Sequence, residues 1–182
     1  QVFELLPPLP ERVDELHGAS VSSIRRVLYT NSLASLEQAV RGQRDRRALR
    51  TYNQIGVLHA QFGQYAEARD AFEQAIELAG EYVPSYLNLA NLELVLENAR
   101  AALRYVDAAD ELRRPGILSN LIRAQALYAL GDVDEARTRM GLVEQEAPEL
   151  AALYPHLSGS AGARASDAAA ERLSPWAIED DE

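Results

Sequence analysis

The sequence predicts an all-α protein made of stacked helical hairpins, and two observations carry this prediction. Alanine and leucine are abundant while only 7% of the residues are aromatic, which favours helices. Small residues also recur at intervals of about 34 residues, at Gly56, Ala90 and Ala124 and again at Ala68, Ala102 and Ala136. Small side chains at facing positions let two helices approach closely, so each such pair is expected to mark one hairpin.

The clearest unit is the segment YNQIGVLHAQFGQYAEARDAFEQA, residues 52–75. Its pattern is carried by Tyr52, Ile55, Gly56, His59, Gly63, Tyr65, Ala68, Phe72 and Ala75. This spacing resembles the tetratricopeptide repeat, W-x2-L-G-x2-Y followed by A-x3-F, with Tyr52 in place of Trp and His59 in place of Tyr. The resemblance implies an α-solenoid, a short superhelix of helical hairpins with degenerate helical caps.

Three units in phase are expected, at residues 49–82, 83–116 and 117–150. One hairpin cannot bury its own apolar face, so the units must stack on one another. We expect Gly63 to end the first helix of its unit with a positive φ. The second unit lacks that glycine, and Asn98 is the nearest substitute.

The two ends of the chain depart from the repeat. Residues 1–14 are interpreted as a proline-rich arm or linker, and residues 15–48 as a degenerate helical pair that caps the array. One long helix over 20–41 is the alternative to a pair broken near Thr30–Ser32, and Gly42 is a candidate stop. Residues 151–182 are expected to hold a capping helix, a Gly/Ser connector and an acidic tail.

The charge balance bears on the classes of partner. A formal net charge of −10 argues against nucleic acid as a partner, because that needs a basic surface. The Arg-rich run at 41–50 is interpreted as a solvated helix start. No run of about 18 apolar residues occurs, so no membrane span is expected. The chain begins at Gln1, which leaves a removed targeting segment open, and no compartment is predicted.

No pattern in the sequence indicates catalysis. There is no phosphate-binding glycine motif, no HExxH and no GxSxG, and there is no cysteine. His59 is interpreted as a packed, hydrogen-bonded core residue, and the other two histidines lie far from it in sequence. We therefore expect a protein that is not an enzyme and that has no metal and no cofactor.

The resemblance implies a binding surface, because the first helix of each tetratricopeptide pair lines a concave groove. The candidate peptide-binding residues are Asn53, Leu87, Asn88, Asn91, Leu94, Leu121, Gln125 and Tyr128. The amides of Asn53, Asn91 and Gln125 form a candidate ladder for a peptide main chain, and the apolar residues would accept its side chains. Packing of these residues under the chain's own C-terminal segment is the alternative, and the two interpretations are compatible.

One subgroup of the family grips the acidic C-terminus of chaperones with basic residues in the first and third units and two Asn between them. Asn88 matches one of those Asn. Asn53, Leu118 and Ile122 replace the basic residues, so this specificity is not expected.

The predicted function is a non-enzymatic scaffold that binds a peptide, helix or tail of a protein partner in the groove. A structural subunit that self-associates into a homo-oligomer through its repeats or tail is the alternative. An accessory domain of a larger enzyme or transport complex is a third interpretation. Trp176 and Ile178 are expected to dock on the groove or on a second copy, because a short tail cannot bury them by itself.

Overall fold

The structure is a computed structural model that describes residues 19–43, 45–158 and 176–177. Within these residues the chain is helical and contains no strand. It divides into two compact units, Gln1–Gly80 and Glu81–Glu182. The proline-rich arm of residues 1–14 lies outside the described part.

The first unit contains α1 (Ala19–Val40), α2 (Arg46–Gln61) and α3 (Tyr65–Leu78). Helix α2 begins where Asp45 caps it, with the carboxylate accepting hydrogen bonds from the N–H groups of Arg47 and Ala48 at 2.9 and 3.0 Å. Helices α2 and α3 pack as a hairpin, and α1 packs on α2. The core between them is formed by Val40, Ala48, Ile55 and Ala71.

Helix α1 is a single helix, and the expected pair broken near Thr30–Ser32 is not found among the described residues. The gap in the apolar pattern has a simple cause, because Asn31 is exposed on the solvent side of an uninterrupted helix. The hydroxyl of Thr30 donates to the carbonyl of Arg26 at 2.9 Å, a bond made within the helix. Polar residues here indicate exposure and not a helix end.

The second unit contains α4 (Val83–Val95), α5 (Ala99–Leu112), α6 (Ile117–Ala129), α7 (Val133–Glu146) and α8 (Pro148–Ala151). The pairs α4–α5 and α6–α7 form two hairpins, and α6 also contacts α4 and α5. Nearly every residue of α4 from Val83 to Glu93 is buried, so this helix is covered on all sides. The short α8 and the turns that follow it pack on α7 and close the unit as far as Ser158.

Helices α5 and α6 are also linked by an ionic cluster at the position where the repeat usually has Leu. The guanidinium of Arg123 lies 2.7 Å from a carboxylate oxygen of Asp107 and 2.7 Å from one of Asp110. The Ser119 hydroxyl donates to Asp110 as well. Burial alone would lower the pKa of Arg123, but the hydrogen bonds to the two aspartates raise it, so the charge is retained.

The turns between paired helices require a left-handed residue. Gly63 and Gly131 take φ values of 75° and 88° there. In the second repeat this place is held by Glu97, with a φ of 60°. Asn98, the substitute expected from the sequence, has a φ of −98° and is the N-cap of α5. The geometry of the turn therefore decides which residue is left-handed, whatever the preference of its neighbour.

Glu97→Gly is expected to raise the free energy of unfolding by about 1 kcal/mol, because a non-glycine residue in this region is strained. Chemical denaturation at equilibrium measures the effect. Asn98→Gly is the matched control and should destabilise, since its φ gives glycine no advantage. A Glu97→Gly variant no more stable than the wild type would contradict the assigned strain.

The positions in register with Gly56 lie at close helix contacts. Ala90 and Ala124 are completely buried. Ala90 belongs to one cluster with Val106, and Ala124 to one with Met140. These pairs bring α4 against α5 and α6 against α7.

Ala90→Leu is expected to overpack the first of these contacts and to cost about 1–3 kcal/mol of stability. A thermal melt measures the loss. Ala66→Leu, on an exposed site of α3, is the matched control and should melt like the wild type. An unchanged melting temperature for Ala90→Leu would contradict the assignment of Ala90 to the close contact.

Candidate peptide-binding site

The candidate residues divide between the two compact units. Asn53 lies on α2 in the first unit, where it is completely buried. The other seven lie in the second unit, on two helices in contact. Helix α4 carries Leu87, Asn88, Asn91 and Leu94, and α6 carries Leu121, Gln125 and Tyr128. The second unit therefore carries seven of the eight predicted residues on two helices that contact each other.

Asn88 binds the main chain of the C-terminal tail. Its side-chain Nδ2 donates to the carbonyl of Ala177 at 2.7 Å, and its Oδ1 accepts from the N–H of the same residue at 2.7 Å. Asn88 is completely buried. A buried amide that pairs with both the N–H and the carbonyl of one residue binds the main chain of a peptide, and these bonds do not depend on that residue's side chain.

Below this contact lies an apolar cluster on which Ala177 packs. Its buried members are Val83, Leu87, Ala90, Val106, Ala109 and Ile122, and Leu94 and Leu118 are among the partly buried residues at its edge. Two candidate residues thus belong to the cluster on which the tail packs, Leu87 as a buried member and Leu94 at its edge. Trp176, which marked the tail in the sequence, is partly buried, whereas Ala177, the residue held by Asn88, carries no sequence signal that could have identified it.

Leu121 and Tyr128 face the C-terminal end of the folded unit. Leu121 is completely buried in a cluster with Met140, Val143, Ala151, Tyr154 and Leu157. The ring of Tyr128 is partly exposed and meets His156 edge-on, with 5.3 Å between ring centroids. Leu121 is therefore covered by the chain's own segment 148–158, which was the alternative interpretation, and Tyr128 keeps one open side.

The three amides of the candidate ladder have different surroundings. Asn53 and Asn91 are buried, with exposed fractions of 0% and 1%, while Gln125 is only partly buried. All three make polar contacts. A ladder that joins them along one peptide stays a prediction, since Asn53 belongs to the other unit.

His59 is packed and hydrogen-bonded. Its Nδ1 and the hydroxyl of Tyr29 lie 2.9 Å apart, which joins α1 to α2. Tyr29 also stacks on Phe62, whose ring has the guanidinium of Arg25 at 5.7 Å. Burial lowers the pKa of His59, and the carboxylates of Glu67 and Glu37 offset only part of this. The core interpretation of this histidine therefore fits its surroundings.

A lowered histidine pKa makes stability depend on pH. Between about pH 7 and pH 5.5 the unfolded chain takes up a proton that the folded His59 resists. The free energy of unfolding should therefore fall as the solution is acidified. Burial lowers the pKa of His156 as well, with the same sign. Denaturant titrations at several pH values should show a smaller slope for His59→Gln, and an unchanged slope would contradict this origin.

In the described part of the chain, no three His, Asp or Glu side chains are placed to hold a metal ion together. None of the described helices is long and apolar enough to cross a membrane.

The repeated hairpins define a helical-repeat protein of the α-solenoid class. Residues 49–82 match the family model of the tetratricopeptide repeat, so this part of the chain is one such repeat. Its fold resembles the solved structure of the MamA RS-1 ArsTM double mutant, with a TM-score of 0.60 and 18% identity. That similarity covers 76% of this chain and 77% of that chain. None of the curated proteins matches the chain in sequence.

The tetratricopeptide repeat is typically an interaction module and not a catalytic one. The match therefore supports a scaffold with protein partners. The similarity to the solved structure concerns the fold alone.

Proposed function

We propose that this protein is a non-enzymatic scaffold that holds an extended peptide of a protein partner on the α4–α6 surface. This surface consists of Asn88 together with Leu87 and Leu94 of α4 and Leu118 of α6. It belongs to the groove that the family pattern assigns to the first helices of the repeats.

One observation carries the proposal. The amide of Asn88 is already paired with the N–H and the carbonyl of a peptide residue, each at 2.7 Å. Main-chain hydrogen bonds supply affinity in many peptide complexes, while neighbouring pockets select the side chains. Here the apolar residues beside Asn88 would be the pocket, and the buried amide would fix the register.

The amide of Asn88 is suited to binding a peptide main chain because leaving it buried without hydrogen-bond partners is unfavourable. A buried polar group that loses its hydrogen bonds costs about 1–3 kcal/mol. When the peptide leaves, the amide must be hydrated, and when a peptide binds, both of its hydrogen bonds are made together. Binding is therefore directed to a main chain and not to an apolar surface alone.

Partner capture tests the proposal. The full chain, Asn88→Ala and Asn98→Ala serve as three baits in one pull-down, and the bound proteins are identified. Asn98 is the matched control because it is exposed and its side chain makes no capping bond. We expect partners that the wild type and Asn98→Ala retain and that Asn88→Ala loses, with helicity by circular dichroism unchanged. Equal retention by all three baits would contradict the assignment of this surface.

Tyr128 offers a second variant at the far end of α6. Its side chain is 38% exposed, so Tyr128→Ala removes surface without emptying the core. Partner loss in this variant would extend the binding surface towards the C-terminal end of α6, whereas full retention would limit it to the neighbourhood of Asn88.

A further inference from the structure

Ala177 lies on the surface that the proposed function assigns to a partner, and the partly buried Trp176 directly precedes it. We propose that the C-terminal tail is an internal ligand that masks this surface, and that a partner must displace it. The partner that fits is an extended segment in which an aromatic residue is followed by a small apolar one. This inference rests on the proposed function and adds to it the chemistry of the partner and the means of its control.

The hydrogen bonds make the tail and a partner mutually exclusive. The amide of Asn88 donates through Nδ2 to one carbonyl and accepts at Oδ1 from one N–H, and both belong to Ala177. A second peptide needs the same two atoms in the same geometry. A partner that uses Asn88 therefore binds only after Ala177 has left.

The surroundings of Ala177 limit the side chain that can stand there. The residue packs on an apolar cluster that contains Leu87 and on which Leu94 also packs. A charged side chain at this position would lose its hydration against apolar groups, which is unfavourable. Trp176, directly before it, is partly buried, and an aromatic side chain contributes a large apolar area with few rotatable bonds.

The dipeptide Trp176–Ala177 is joined to the folded unit by residues 159–175 of the same chain, so its contact with Asn88 is intramolecular. Residues 158–166 read SGSAGARAS, a composition typical of a flexible connector. A ligand joined by such a connector has an effective concentration of the order of millimolar at its own site. The tail therefore competes strongly with a partner in solution.

A labelled copy of the tail tests the inference on the full chain. The probe is a fluorescein-labelled peptide RLSPWAIEDDE, the sequence of residues 172–182, and its binding is followed by anisotropy. Three receptors are compared: the wild type, the full chain with Trp176→Ser and Ala177→Asp, and that variant with Asn88→Ala added. A second probe carries Asp in place of the alanine that follows its tryptophan.

We expect the variant with the altered tail to bind the probe at least tenfold more tightly than the wild type, because its own tail no longer competes. Adding Asn88→Ala should weaken that binding at least tenfold, and the second probe should bind poorly to every receptor. Equal affinity of the wild type and the altered-tail variant would overturn the masking, as would absence of binding to both.

The outcome is distinguishable from a failure of the proposed function. If masking is absent but partner capture still depends on Asn88, the surface binds partners and the tail does not control it. A further outcome is that the molar mass in solution doubles as the concentration of the wild type is raised, and that this doubling is lost in the variant with Trp176→Ser. In that case the tail occupies the surface of a second copy, and self-masking is overturned in favour of assembly. If neither the probe nor any captured protein depends on Asn88, both proposals fail.

Discussion

Gly56→Ala is expected to lower the free energy of unfolding by about 2–3 kcal/mol, although alanine is the better helix former. A Cβ atom at this position would overlap three ring carbons of Phe72. Phe72 is completely buried, so its ring can move away only by displacing the side chains packed around it. Equilibrium denaturation of the single variant measures the loss.

A double-mutant cycle assigns this loss to the contact with Phe72. In the other two repeats the position of Phe72 is occupied by Val106 and Met140, and the position of Gly56 by Ala90 and Ala124. An alanine is therefore found where the facing residue is not phenylalanine. Gly56→Ala combined with Phe72→Val should therefore be less destabilising than the sum of the two single variants, by 1 kcal/mol or more, about what neighbouring residues show. Strictly additive losses would contradict a direct clash between the new methyl group and the ring.

Asn88→Ala is expected to release the tail, with a large change in the fluorescence of Trp176. The chain contains one tryptophan, so its emission reports this segment alone. Trp176 is partly buried in the native state, and the hydrogen bonds of Asn88 hold the residue that follows it. Without them the emission maximum should move to the red, and quenching by acrylamide should rise severalfold.

Asn98→Ala is the matched control, and it should leave emission and quenching at wild-type values. Circular dichroism must show that both variants keep their helices. A wild-type emission already at the maximum of a fully hydrated indole would contradict docking of the tail, and so would a wild-type spectrum for Asn88→Ala. Ile178 lies outside the described part, so its expected docking stays a prediction.

The sequence by itself determined the helical hairpins and their class. The small residues Gly56, Ala90 and Ala124 and the turn glycines Gly63 and Gly131 act through local geometry, which a repeating pattern records directly. Contacts that depend only on neighbours within one hairpin are repeated at each unit, and so they can be recognised without a structure.

Only the tertiary structure decided which of the candidate site residues contact the tail. Asn88 and Ala177 are 89 positions apart, and no periodicity relates an amide on a helix to an alanine in a non-repeating tail. The cover of Leu121 by Tyr154 and Leu157 and the pairing of Tyr29 with His59 are of the same kind. Glu97 shows the complementary case, since the turn imposed a left-handed conformation that its side chain disfavours. Long-range packing selects among locally acceptable arrangements, and its free energy exceeds the local preferences from which a sequence is interpreted.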